Sequence, residues 1–255
     1  MTVPALARAL CQARQPGQAR VSGPACEAAA VPDAATAYAV QDQTLLALGP
    51  VGGWKVGAAS VTQTPICAPL PAAGMLSSGA ILSPPQGALR GLELELALRV
   101  AVDLPPGRQG LGQAPLSSVF DAVLPVLEWV DSRLALGQAS PALVRLADLQ
   151  SHGALILGSA QRWEPDDPEP DLATLEAELC WNDQRVVRTV GGHPAPDLRR
   201  LVDWLIGHTA RRGQPLRAGQ IVTTGSCTGL MWVPEGRLSV LGRLGPWGEV
   251  ALSLT

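Results

Sequence analysis

The chain is almost without lysine. A single one, Lys55, stands among nineteen Lys and Arg residues in a sequence of 255. Tyrosine and phenylalanine occur once each, as Tyr38 and Phe120. A formal charge of −3, with no Lys/Arg stripe interleaved with aromatics, excludes an electrostatic footprint for nucleic acid. No apolar run reaches the length of a membrane span. The N-terminal stretch "MTVPALARALCQARQPGQARVSGPAC" lacks the long apolar centre of a signal peptide, and reads as a short amphipathic helix followed by a loop. The five cysteines, Cys11, Cys26, Cys67, Cys180 and Cys227, are odd in number and widely spaced, with no C-x-x-C. That argues against a disulfide framework or a zinc site and fits free thiols in a reducing cytoplasm. Phosphate-loop and dinucleotide-binding patterns are absent, and His152, His193 and His208 show no ligand spacing. His208 reads as structural; His152, in "ADLQSHG", is placed to approach a site, though a satisfied loop histidine is the commoner outcome.

What is present has an α+β texture. "VPDAATAYAVQDQTLLALG" predicts a helix with Asp33 as N-cap and Gly49 just beyond its end. From Gly52 the apolar runs shorten and are broken by Gly and Pro, as strands and turns are. "LELELALRVAV" alternates strictly, which predicts a half-buried strand with Leu92, Leu94, Leu96 and Leu98 on one face and Glu93, Glu95, Ala97 and Arg99 on the other. "LSSVFDAVLPVLEWVDSRL" reads as a helix that turns into a strand near Pro125. "EPDDPEP" reads as a surface loop, "APDLRRLVDWLIGHTARRG" as an amphipathic helix, and the tail as antiparallel strands. The organisation expected is a helical lid segment over residues 1–80 packed on a β-rich core over residues 81–255.

Three acidic residues carry the chemistry. Glu93 and Glu95, two apart on a strand, point to one face and repel unless a cation or a proton lies between them. Glu128 interrupts the apolar run "VLPVLEWV", where a carboxylate must be paired or bound to a metal. One reading gives Glu93 and Glu95 a solvated face with Arg99 as partner, and gives Glu128 a salt bridge to Arg133 or another arginine. The other brings the three together as an all-oxygen site for a hard cation, Mg²⁺ or Mn²⁺. Lys55, in "GGWKVG", is either a survivor of a composition that favours arginine or a buried ammonium whose neighbours Trp54 and Val56 face the other way.

In order along the chain, "AYAVQ", "GGWKVG", "ELELAL", "VLPVLEWVDSR", "LADLQSHGALILG", "GGHP" and "AGQIVTTGS" resemble the fumarylacetoacetate hydrolase superfamily. The branch they resemble most holds the 2-keto-4-pentenoate hydratases and the 4-oxalocrotonate (2-oxo-3-hexenedioate) decarboxylases. The resemblance implies a mixed β-sandwich roll with flanking helices. It implies metal ligands at Glu93, Glu95 and Glu128, a catalytic lysine at Lys55, and substrate contacts from Asp148 and from Thr224, Gly225 and Ser226. It further implies a small anionic 2-oxo acid substrate, water addition to a 2-hydroxy-2,4-dienoate, and aromatic catabolism. A homo-oligomer, paired with a related decarboxylase or hydratase, is the expected assembly. The sequence departs from the pattern at Ile66 and Ala68, where these hydratases carry Asp and Gly, and at Leu149, where Asn follows the Asp. Those departures keep two other readings open, a decarboxylase and a catalytically weak subunit that binds small acids.

Overall fold

A computed structural model of the chain describes residues 1–85 and 87–255. The first helix, α1 (Val3–Ala13), buries Leu6, Ala7 and Leu10, the apolar stripe that its sequence presents. The second, α2 (Ala34–Leu48), begins where Asp33 accepts a hydrogen bond from the Thr36 N–H at 2.7 Å and ends at Gly49, whose φ is +88°. Both helices pack with α3 (Ala142–Ala147) in a small apolar cluster of their own, which includes Val31, Val40, Leu134 and Val144.

The strands form two sheets. The larger contains β1 (Val51–Gly57), β2 (Ile66–Pro71), β3 (Met75–Ser77), β5 (Gly91–Val100), β6 (Phe120–Val130), β7 (His152–Leu157) and β11 (Ile221–Ser226), in the order β2-β1-β11-β5-β6-β7-β3. The short strands β8 (Gln161–Arg162) and β12 (Met231–Trp232) flank β6 and β5. The smaller sheet runs β10-β9-β13-β14-β4, from β4 (Ala80–Leu82), β9 (Glu176–Trp181), β10 (Gln184–Val190), β13 (Leu238–Leu244) and β14 (Glu249–Leu254). Leu94, Leu96 and Leu127 of the first sheet meet Leu179, Val240 and Leu252 of the second in the main core. The helix α4 (Leu198–Arg211) adds Leu201 and Leu205 to it. Residues 51–77, within the segment expected to form a lid, thus supply three strands of the larger sheet. Among the described residues, no helix is long and apolar enough to cross a membrane.

Two local expectations are corrected. Only one 3₁₀ turn, Leu116–Ser118, precedes β6, and the strand runs unbroken through Pro125. Pairing on both sides overrides the helical texture of "SSVFDAV", and the Pro125 carbonyl still accepts a hydrogen bond from the Gly158 N–H at 2.9 Å. The strand β5 is buried on both faces, not one. Its leucines enter the main core, while Ala97 joins Leu70, Leu124, Val126, Leu155 and Ile221 in a second cluster on the opposite face. That second apolar face leaves Glu93 and Glu95 little water.

Candidate active site

Five adjacent strands each place a polar side chain on the same face of the larger sheet. In β5 and β6, Glu93 stands directly opposite Glu128. Such a like-charge pair is destabilising unless a cation lies near. Glu95 is in register with Ser226 of β11, and Lys55 of β1 with Thr223 of β11. The parallel contact between β1 and β11 requires a glycine at position 53, because a Cβ there would lie 2.2 Å from the Ile221 carbonyl oxygen. One carboxylate oxygen from each of Glu93, Glu95 and Glu128 can be chosen so that all three lie within 4.8 Å of one another.

The cations are specific. The Lys55 ammonium donates to both oxygens of Glu128, at 2.7 and 2.6 Å. His152 faces the same carboxylate, with Nδ1 2.9 Å from Oε1. A bulge aims it there: between the pairs Trp129–Ala154 and Val130–His152, β7 carries one extra residue, Gly153. Burial disfavours the Glu128 charge, but Lys55 and His152 outweigh burial and hold its pKa well below the usual carboxylate range. Burial, with the Glu128 charge added, raises Glu93 and Glu95 above that range. For Lys55, burial works to lower the pKa, yet the three carboxylates raise it, and the side chain stays an ammonium. Burial lowers the pKa of His152, so the imidazole is neutral and its Nδ1–H donates to Glu128.

A cavity of about 260 Å³ opens over the half-buried Glu93. Ile66, Val130, Leu146 and Leu230 form apolar parts of its wall, and Gln150 and Arg145 supply polar ones. Just before His152 the chain turns through three left-handed residues, Leu149, Gln150 and Ser151, with φ of +50°, +53° and +61°. None is a glycine or asparagine, so the turn carries strain of about 1–3 kcal/mol per residue. It brings the Gln150 carbonyl to 3.5 Å from Lys55 Nζ.

The residues picked out by sequence divide into two groups. Glu93, Glu95, Glu128 and Lys55 converge, and with them Gly225, whose N–H donates to Glu95 Oε2 at 3.3 Å from a backbone with φ of +123°. The hydroxyls of Ser226 and Thr223, buried beside Glu93 and Glu95, offset only a small part of the upward shift that burial gives these carboxyls. Thr224 and Asp148 are engaged elsewhere. The Thr224 hydroxyl donates to the Leu96 carbonyl at 3.0 Å and lies 3.1 Å from His193 Nε2. Asp148 accepts from the Ser132 hydroxyl and from the Arg133 N–H and Nε, at 2.7 to 2.9 Å. Arg133 is therefore the partner of Asp148 and not of Glu128, and Arg99 pairs with Asp121 rather than with Glu93 or Glu95. Sequence reading missed Thr223, and it ranked the approach of His152 to a site below a satisfied loop position, whereas the ring meets Glu128.

Because Asp148 and Arg133 are both buried, Asp148→Ala strands a guanidinium in the interior. A loss of about 3–5 kcal/mol of folding stability is expected. Urea unfolding checks this, and wild-type stability in the variant would reject the pairing as a structural anchor.

No model of a known protein family matches the sequence. Among solved structures, the chain is similar to 4-oxalocrotonate decarboxylase from Pseudomonas putida G7, seen with calcium and acetate and again with magnesium and adipate. The TM-score is 0.79 at 23% identity, over 99% of this chain and 97% of that one. It is also similar to 2-hydroxyhepta-2,4-diene-1,7-dioate isomerase from Mycobacterium marinum, with a TM-score of 0.57 at 17% identity, over 81% and 76% of the two chains. With 5-carboxymethyl-2-hydroxymuconate delta-isomerase from Mycobacterium smegmatis the TM-score is 0.55 at 16% identity, over 81% and 78%. At these identities the likeness is one of fold, and the fold is the one that the motif order implies.

Proposed function

We propose that the chain is a divalent-cation-dependent enzyme of the fumarylacetoacetate hydrolase superfamily that acts on small 2-oxo or 2-hydroxydienoate acids. The reaction favoured is water addition, giving a 4-hydroxy-2-oxo acid. The observation that carries this reading is the charge imbalance of the buried cluster: three carboxylates converge on one ammonium. Their donor set is oxygen alone, and their spread suits a hard cation, whose opposed oxygen ligands lie about 4–5 Å apart. Glu93, Glu95 and Glu128 would hold Mg²⁺ or Mn²⁺. That ion would supply Lewis-acid polarisation of a substrate 2-oxo group.

The chain's own residues do the rest. Lys55, an ammonium fixed against Glu128, can stabilise negative charge that develops on a substrate oxygen during enolisation. His152 holds Glu128 from the other side, so the carboxylate and the ammonium keep one orientation. The apolar wall from Ile66, Val130, Leu146 and Leu230 keeps water sparse around a small ligand, which strengthens those interactions. The place of the activity in aromatic catabolism, and a cytoplasmic homo-oligomer, belong to the same reading.

A decarboxylase is the second reading. Ile66 on the cavity wall favours it, because no carboxylate stands there to direct water, and the likeness to 4-oxalocrotonate decarboxylase agrees. One set of assays separates the outcomes. Turnover of 2-hydroxypenta-2,4-dienoate that stops with EDTA and returns with Mg²⁺ is expected. CO₂ release from a 2-oxo-3-enedioate without hydration selects the decarboxylase instead. Mg²⁺ binding with neither reaction would make the protein a binding subunit and reject the enzyme.

A further inference from the structure

The loop between β10 and α4 carries "GGHP", residues 191–194, and packs on the end of β11. Thr189, at the end of β10, donates its hydroxyl to the Cys227 carbonyl at 2.8 Å. Pro194 closes on Gly225, where a Cβ would lie 2.7 Å from Pro194 Cγ. β11 is bulged here: between the pairs Thr223–Ala97 and Ser226–Glu95 it advances three residues while β5 advances two. Thr224 and Gly225 make up the bulge, and both reach β5. The Thr224 hydroxyl donates to the Leu96 carbonyl at 3.0 Å, and the Gly225 N–H donates to Glu95 Oε2 at 3.3 Å. The buried His193 ring meets this bulge, with Nε2 3.1 Å from the Thr224 hydroxyl oxygen. That hydroxyl has one proton, which Leu96 takes, so Nε2 carries the ring hydrogen and Nδ1 accepts from the Ala195 N–H at 3.1 Å. The Ala195 carbonyl, 2.9 Å from Nδ1, suits the other tautomer, but that tautomer leaves Thr224 one proton for two acceptors. Hydrogen bonds thus run one way, from Ala195 through the ring and the hydroxyl to the residue beside Glu95.

We infer that His193 is a positioning residue for the acidic cluster: through the Thr224 hydroxyl it pins the bulge of β11, and so fixes the Glu95 carboxylate for a cation. The inference rests on the proposed function only for the cation, because the pinning belongs to the metal-free chain as well. Glu95 needs such support more than Glu128 does. Lys55 and His152 both hold Glu128 with side-chain donors, whereas Glu95 takes its hydrogen bond from a backbone N–H at 3.3 Å. A backbone donor cannot follow the carboxylate by rotating. Wherever the bulge sits, the Gly225 N–H sits, and Glu95 is oriented accordingly. The left-handed Gly225, with φ of +123°, has no side chain of its own to hold it, so the ring and Pro194 do so from outside the strand. Partners of this kind orient ligands without touching the metal.

The test compares H193L, H193Q, T224V and T224S with the wild type, and takes L6A, a truncation in the separate helical cluster, as a control for lost stability alone. Thermal melts establish that each variant is folded, and T224V carries the test if H193L is not. Calorimetric titration with Mg²⁺ is expected to show affinity about 10–100-fold weaker in H193L and T224V, the usual cost of removing a partner that orients a ligand. H193Q keeps a donor for Thr224, and T224S keeps the hydroxyl, so both should recover most of the affinity. L6A should melt lower and bind Mg²⁺ as the wild type does. In metal-free protein the Gly225 amide should exchange with solvent about 3–10-fold faster in H193L, the worth of one hydrogen bond, while amides of β14 keep their rates. Wild-type Mg²⁺ affinity in folded H193L, no recovery in H193Q, or a loss in L6A as large as in H193L would each overturn the inference. If the wild type binds no Mg²⁺, the metal reading fails and the Gly225 amide decides alone: faster exchange in H193L upholds the pinning, and an unchanged rate overturns it.

Discussion

Glu128→Gln should abolish Mg²⁺-dependent turnover and weaken Mg²⁺ binding by at least about 100-fold, since removal even of a partner that merely orients a ligand costs 10–100-fold. The substitution is nearly isosteric. The amide can still accept from Lys55 and meet His152, which touch the carboxylate at 2.6 to 2.9 Å in the wild type. What it removes is one of three charges facing the cation, and the one buried most deeply between two strands. The fold should therefore persist while affinity falls. Calorimetric titration with Mg²⁺ beside a far-UV spectrum checks both halves. Wild-type affinity in a folded Glu128→Gln protein would remove Glu128 from the ligand set.

Lys55→Ala should lower kcat by on the order of 10²–10³, the usual cost of losing one charge-stabilising donor in a closed site. Its effect on metal binding should run the other way. Lys55 is the cation that occupies both oxygens of Glu128, so without it Mg²⁺ meets less competition and binds at least as tightly. The metal-free variant should melt lower, since three buried carboxylates lose their ammonium, and Mg²⁺ should restore more of the melting temperature than in the wild type. Lys55→Arg should not recover kcat, because a planar fork does not fit where a single nitrogen bridges two oxygens. Wild-type turnover in Lys55→Arg would mean that the lone lysine is an accident of composition.

Much of this site was legible before any coordinates, for identifiable reasons. Glu93 and Glu95 follow from strand periodicity, and Glu128 from the improbability of a carboxylate inside "VLPVLEWV". The capped helix from Asp33 to Gly49 is local, and local rules suffice for it. What could not be read depends on contacts between distant segments. His152 reaches Glu128 through the bulge at Gly153. Arg133 was as close in sequence to Glu128 as any arginine, but its partner is Asp148. Residues 120–124 have helical texture and became strand because β5 and β8 pair with that stretch. The turn at Leu149–Ser151 has no glycine or asparagine to announce it. Arg145 lay on a helix with nothing nearby in sequence to connect it with Glu93, and only the cavity joins them.

The sheet order has a further consequence for how the protein is made. Lys55 lies on β1, whose strand partners among the described residues are β2 and β11, so β1 is joined to the carboxylate strands through β11. β11 begins at residue 221, near the end of the chain. A ribosome releases Lys55, Glu93, Glu95 and Glu128 long before the strand that unites them. Throughout that interval β5 has one unpaired edge, and β1 lacks the strand that joins it to β5. Pairings between such distant segments close late and slowly, and an open edge invites wrong partners meanwhile. Between the completion of β6 at residue 130 and the start of β11 at residue 221, the nascent chain thus has its acidic residues on two strands and the one lysine that offsets them held apart.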